Sequence, residues 1–185
     1  MRYVIVDLEA TCWEGGSNIE QMEIIEIGAV VLESSKGSIL EEFNAFVSPV
    51  IHPVLSEYCM RLTSICQQDV DKADGFKTVF PRFLNWIGSQ PFTLCSWGAY
   101  DLKQFRVDCE RHEIPLPASF SRHINLKQEF ADLKRIKPCD MVKALNILCI
   151  KLDGTHHRAI DDVRNIAKIA VQVLPIIEKR GLGNW

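Results

Sequence analysis

The segment Tyr3-Val4-Ile5-Val6-Asp7-Leu8-Glu9-Ala10-Thr11 constrains this chain more than any other, because an apolar run ends there in two carboxylates. Val4, Ile5 and Val6 are β-branched, and Thr11, Cys12 and the Gly15-Gly16 pair bound the run downstream. Such a run specifies a buried strand rather than a helical turn. Alternation along a strand directs Asp7 and Glu9 to the same face. Two anions side by side at the end of a core strand repel each other and lose hydration, a cost that shared cations offset. A metal site is therefore expected. Asp-x-Glu at a strand exit is also a common start of a solvated loop, so the expectation depends on further carboxylates and a base where other apolar segments end.

The rest of the chain supplies those segments. Ile24 to Leu32 reads as a second strand and Ile39 to Val47, alternating around Phe43, as a third, with Ser34-Ser35-Lys36-Gly37 as the turn. Pro49 and Pro53 enforce extended backbone up to Leu55-Ser56, where short helices begin, and Ser64 with Gln67 has the spacing of a capping box. Phe76, Val79, Phe80, Phe83, Leu84 and Ile87 recur at helical spacing and read as core. Phe92 to Trp97 is a fourth strand, and Gly98-Ala99-Tyr100-Asp101 opens a helix that turns Leu102, Phe105 and Cys109 inward. A weaker fifth strand falls near Ile124-Asn125-Leu126. Pro138 marks a helix start before Met141, Ala144, Leu145 and Leu148, and Asp153-Gly154 is the turn before the last helix. That helix starts near Ile160, buries Val163, Ile166, Ala170 and Val173, and is kinked or ended by Pro175. Three strands followed by alternating strand and helix specify an α/β fold, a mixed sheet of about five strands with helices on both faces.

Composition narrows the setting. At 185 residues, 47% hydrophobic and 24% charged, the chain fits one domain that buries roughly 70% of its unfolded surface. Asp7 interrupts the N-terminal apolar run too early for a signal peptide, and no segment has the length of a membrane span, so an intracellular, cytoplasmic protein is expected. Seven scattered cysteines without a Cys-x-x-Cys read as reduced thiols. A net charge of −3 gives no overall attraction to nucleic acid. An enzyme that engages only a few phosphates needs only a local basic rim and bound cations. Nothing in the sequence specifies a protein partner.

Asp101 stands just past the fourth strand, where the helix dipole favours a first-turn aspartate whatever its function. Asp161 and Asp162 begin the last helix in the same way. The spacing His157-Arg158-Ala159-Ile160-Asp161-Asp162 adds a base, since a histidine in the preceding loop can lean over whatever the carboxylate binds. Asp162, four residues before Ile166, faces inward and Asp161 outward. His156 is either a second ligand or a solvated neighbour. Glu26, inside an apolar strand, either supports the acids or faces outward.

Asp7-x-Glu9, Asp101 and His157-x-x-x-x-Asp162 resemble the motifs of the DEDDh group of 3′-to-5′ exonucleases. The segments Glu23 to Gly28, Pro53 to Ser56 with Tyr58-Cys59, Leu62 to Ile65, Gln68 to Ala73 and Asp161 to Ala167 resemble its Eri-type branch, which includes the histone-mRNA 3′-end exonuclease. The resemblance runs from Tyr3 to about Leu174 and implies a ribonuclease-H-like (DnaQ-like exonuclease) fold. It implies that Asp7, Glu9, Asp101 and Asp162 hold two divalent cations, Mg²⁺ or Mn²⁺, around the scissile phosphate, with His157 as general base. It implies single-stranded 3′ ends as substrate, RNA favoured over DNA, and nucleoside 5′-monophosphates as product. Ala10, Thr11, Tyr58, Leu62 and Tyr100 are the corresponding candidates for holding the terminal nucleotide. Lys103, Arg106, Lys134, Arg135 and Lys137 are candidates for a basic rim. The resemblance is to the nuclease domain alone; animal histone-mRNA enzymes carry a further nucleic-acid-binding domain upstream, so stem-loop specificity is not expected. DNA 3′-end trimming and a non-catalytic nucleic-acid-binding module are the alternatives.

Overall fold

The second strand decides the architecture, because all nine of its residues, Ile24–Leu32, are buried. A strand apolar on both sides needs cover on both faces, and the computed structural model, which describes residues 1–16 and 18–181, supplies it. β1 (Arg2–Ala10), β2 (Ile24–Leu32), β3 (Ile39–Phe46), β4 (Phe92–Ser96) and β5 (His123–Asn125) form one sheet in the order β3-β2-β1-β4-β5. β1 pairs antiparallel with β2 and parallel with β4, so the sheet is mixed and β1 is central.

Alternation along β1 divides the core. Tyr3 and Ile5 join the apolar cluster under α5 (Leu126–Lys134), α6 (Met141–Ile147) and α7 (Ala159–Lys179). Val4, Val6 and Leu8 join the opposite cluster under α3 (Phe76–Ile87) and α4 (Tyr100–Arg111). Asp7 and Glu9 therefore emerge on the α7 face. The register of β1 against β2 shifts between Glu9 and Ala10, a bulge that ends the ladder and redirects the chain just past the acids.

Two sequence expectations are corrected, and of the two alternatives for Pro175 one is excluded. Ser64 does not open a capping box; it is the left-handed C-cap of α1 (Glu57–Thr63), at φ 58°. The reciprocal cap belongs to Cys66 and Asp69 at the start of α2 (Gln67–Asp71), while the Gln67 side chain reaches back to Pro53 and Leu55. Pro138 precedes α6 rather than starting it, because the Asp140 side chain caps the helix by accepting the Lys143 N–H. Pro175 does not end α7, which continues to Lys179 with Val173, Leu174 and Ile177 buried; packing outweighs the lost backbone hydrogen bond. Among the described residues no helix is long and apolar enough to cross a membrane.

Candidate active site

Helix α7 brings Asp162 in its first turn to the end of β1, and one oxygen each from Asp7, Glu9 and Asp162 lie within 4.8 Å of one another. Asp101, in the first turn of α4, is nearly buried, and its Oδ1 accepts the Leu8 N–H at 3.1 Å. The strand that carries Asp7 and Glu9 thus holds the fourth acid. Burial, then the charges of Asp101 and Glu9, raise the Asp7 carboxyl well above its ordinary range. Burial, then Asp162 and Glu26, do the same to Glu9. Burial also pushes Asp101 up to about 6, against hydrogen bonds from Ser96 and Leu8 that favour its charged form. Among the described residues no lysine or arginine forms an ion pair with any of these four acids. Crowded carboxylate oxygens with no lysine or arginine paired to them are the donor set that hard divalent cations take.

Both histidines of the loop before α7 line the same cavity. The His156 Nδ1 lies 3.0 and 3.1 Å from the two Asp162 oxygens, so His156 is tied to an acid rather than solvated. His157 donates its backbone N–H to Asp162 Oδ2 at 3.0 Å, and its ring stacks on His156 with centroids 3.9 Å apart. Its backbone is left-handed, φ 64°, an unfavourable region for a residue with a Cβ. Burial, then His156, lower the His157 pKa, which keeps its ring uncharged near neutral pH.

Glu26 is fully buried and supports this turn from β2. It accepts two hydrogen bonds from Arg158, at 3.0 and 3.2 Å, and one from the Ala159 N–H at 3.1 Å. The Arg158 guanidinium lies over the Phe46 ring, 5.1 Å from its centroid.

Above the acids lies a cavity of about 340 Å³. Ala10, Leu62 and Tyr100 line it. Thr11 and Tyr58 stand outside its lining; the Thr11 hydroxyl instead accepts the Glu23 N–H at 3.0 Å. The exposed residues Lys103, Arg106, Lys134, Arg135 and Lys137 also lie outside the lining.

The Exonuclease (RNase_T) family matches residues 4–170. The chain belongs to this family. This exonuclease-family chain is 33% identical over 193 residues to ERI1 exoribonuclease 2 of Homo sapiens, covering 92% of the chain and 28% of the relative. It is 33% identical over 181 residues to 3′-5′ exoribonuclease 1 of Rattus norvegicus, covering 92% of the chain and 52% of the relative. The chain thus spans about a quarter to a half of the length of these curated relatives. The solved nuclease domain of 3′hExo, described as a DEDDh family member bound to rAMP, matches with a TM-score of 0.88 at 30% identity, covering 95% of this chain and 92% of that one. The fold of this exonuclease-family member is therefore the ribonuclease-H-like fold of the DEDDh enzymes.

Further residues of the cavity, Cys12, Met22, Trp97, Lys127, Asp140 and Met141, carry no functional signal in the sequence. Lys127 in particular reads as an ordinary surface lysine until β5 pairs with β4 and swings α5 beside the acids.

Proposed function

We propose that the protein is a metal-dependent 3′-to-5′ exonuclease that releases nucleoside 5′-monophosphates from single-stranded 3′ ends, RNA in preference to DNA. The convergence of Asp7, Glu9 and Asp162 oxygens within 4.8 Å, with Asp101 and His157 on the same cavity, carries this reading. Similarity to exoribonucleases supports the RNA preference, and the rAMP bound to the 3′hExo nuclease domain supports a mononucleotide product.

Asp7, Glu9, Asp101 and Asp162 would hold two divalent cations, Mg²⁺ or in its place Mn²⁺. Bound there, the cations would neutralise charge on the scissile phosphate and acidify a water. The remaining work falls to the chain. His157, uncharged and with its ring open to the cavity, accepts the proton of the attacking water. His156 and the His157 N–H orient Asp162. Leu62 and Tyr100 flank the terminal base, where stacking contributes about 1–3 kcal/mol. Ala10, at the bulge, presents backbone to the terminal 3′ hydroxyl. Thr11 acts from behind by bonding Glu23, which in turn accepts the N–H groups of Val50, Ile51 and His52.

The test is incubation with Mg²⁺ and matched RNA and DNA oligonucleotides. Shortening from the 3′ end with mononucleotide release, faster on RNA, is the expected result, and equal trimming of both removes the RNA preference. His157→Ala should lower kcat by about 100-fold or more, the scale of a lost general base, with a smaller loss for His156→Ala. A folded Asp7→Ala variant that releases mononucleotides at the original rate would sink the assignment.

A further inference from the structure

Lys127 is the one lysine or arginine lining the catalytic cavity among the described residues. It occupies the first turn of α5, where a positive charge opposes the helix dipole. Among the described residues no carboxylate lies within ion-pair distance of it. No direct ion pair holds a cation at this half-buried position, so its charge is left to the acids across the cavity and to what binds between them.

The cavity has two unlike sides. Ala10, Leu62 and Tyr100 form one, without a lysine or arginine. That side is closed by α1: Ser56, its N-cap, donates to the Cys12 carbonyl at 2.6 Å, and the Cys59 thiol lies 3.7 Å from the Ala10 carbonyl oxygen. The other side belongs to α5 and α6, which pack on the opposite face of the sheet from α4; it carries Lys127, and also Asp140, whose carboxylate is engaged in capping α6. A strand whose last nucleoside fills the closed side, with its scissile phosphate over the acids, must send its next phosphate toward Lys127.

We propose that Lys127 binds the phosphate immediately 5′ of the scissile one, so that the smallest good substrate is a dinucleotide bearing a 5′ phosphate. This rests on the exonuclease reading above. Lys134, seven residues on and on the same face of α5, lies about 10 Å from Lys127 by the rise of a helix, and Arg135 and Lys137 follow it. All three are exposed and outside any ion pair among the described residues.

The experiment compares kcat/KM for a dinucleotide with and without a 5′ phosphate, pNpN and NpN, in the presence of Mg²⁺ or Mn²⁺. The wild-type protein should favour pNpN by about tenfold, the scale of one charge-assisted hydrogen bond. Lys127→Gln should bring the ratio close to one, and Lys127→Arg should keep it. Lys77→Gln, which removes a charge from α3, should also keep it. A ratio unchanged in Lys127→Gln, an equal loss on both substrates, or a wild-type protein indifferent to the 5′ phosphate overturns the proposal. Failure of the wild-type protein to hydrolyse either dinucleotide or a longer oligonucleotide overturns the exonuclease reading itself.

Discussion

Burial, with Asp101 and Glu9 close by, holds the Asp7 carboxyl far above its ordinary range, so ionising it in the metal-free chain costs free energy that a neutral side chain avoids. Asp7→Asn should therefore raise the metal-free melting temperature by a few degrees while abolishing both turnover and the stabilisation that Mg²⁺ confers. Thermal melts with EDTA and with Mg²⁺ read both effects, and a variant no more stable than the parent without metal contradicts the account. At the neighbouring acids, helical periodicity alone distinguishes Asp162 from Asp161. Asp162 is buried, whereas Asp161 accepts the Thr155 N–H and pairs with Arg164. The role of His156 was not legible in this way, because its bond to Asp162 depends on the path of the loop between Gly154 and α7.

The elements act on the site through one close contact. A Cβ placed on Gly28 of β2 would lie 2.3–2.5 Å from the backbone of Ala159 and Ile160, so the start of α7 rests directly on the strand. No flexible side chain can yield there. Gly28→Ala should destabilise the protein by about 1–3 kcal/mol and lower kcat more than tenfold, because relief requires moving Asp162 and His157 away from Glu9. Gly75→Ala, with nothing within 4 Å of its added carbon but at the N-cap of α3, is the control: it should cost some stability and leave kcat unchanged. Glu26→Gln tests the same junction by its charge. With Arg158 and the Ala159 N–H deprived of a buried carboxylate, the melting temperature and kcat should fall together, while Glu26→Asp should restore part of both.

At the scale of the whole molecule the raised acids make stability depend on pH in an unusual direction. Asp101 and Asp108, the latter buried in α4 where it accepts hydrogen bonds from Gln104 and Arg111, are both pushed up to about 6 by burial, above the value near 3.8 of an unfolded chain. As pH falls from 7.5, the folded state takes up these protons first, so the instability they cause is relieved between about 6 and 4. The metal-free protein should thus melt higher at pH 5 than at pH 7.5. Bound Mg²⁺ needs Asp101 and the other three site acids ionised, so its stabilising effect should shrink over that interval. Melting curves against pH, with EDTA and with Mg²⁺, should converge as pH falls; parallel curves would contradict the account.

What the sequence by itself determined is what local repetition encodes. Period-two alternation directs Asp7 and Glu9 to one face of β1, and helical periodicity selects Asp162. The five-strand mixed sheet follows from the order of apolar segments. The tertiary structure alone decided that Glu26 faces Arg158, that Thr11 turns away from the cavity toward Glu23, and that Lys127 joins the acids. Those outcomes depend on contacts between residues as far apart as Glu26 and Ala159, or on the pairing of β5 with β4. Such contacts form only when the sheet closes and leave no period in the sequence.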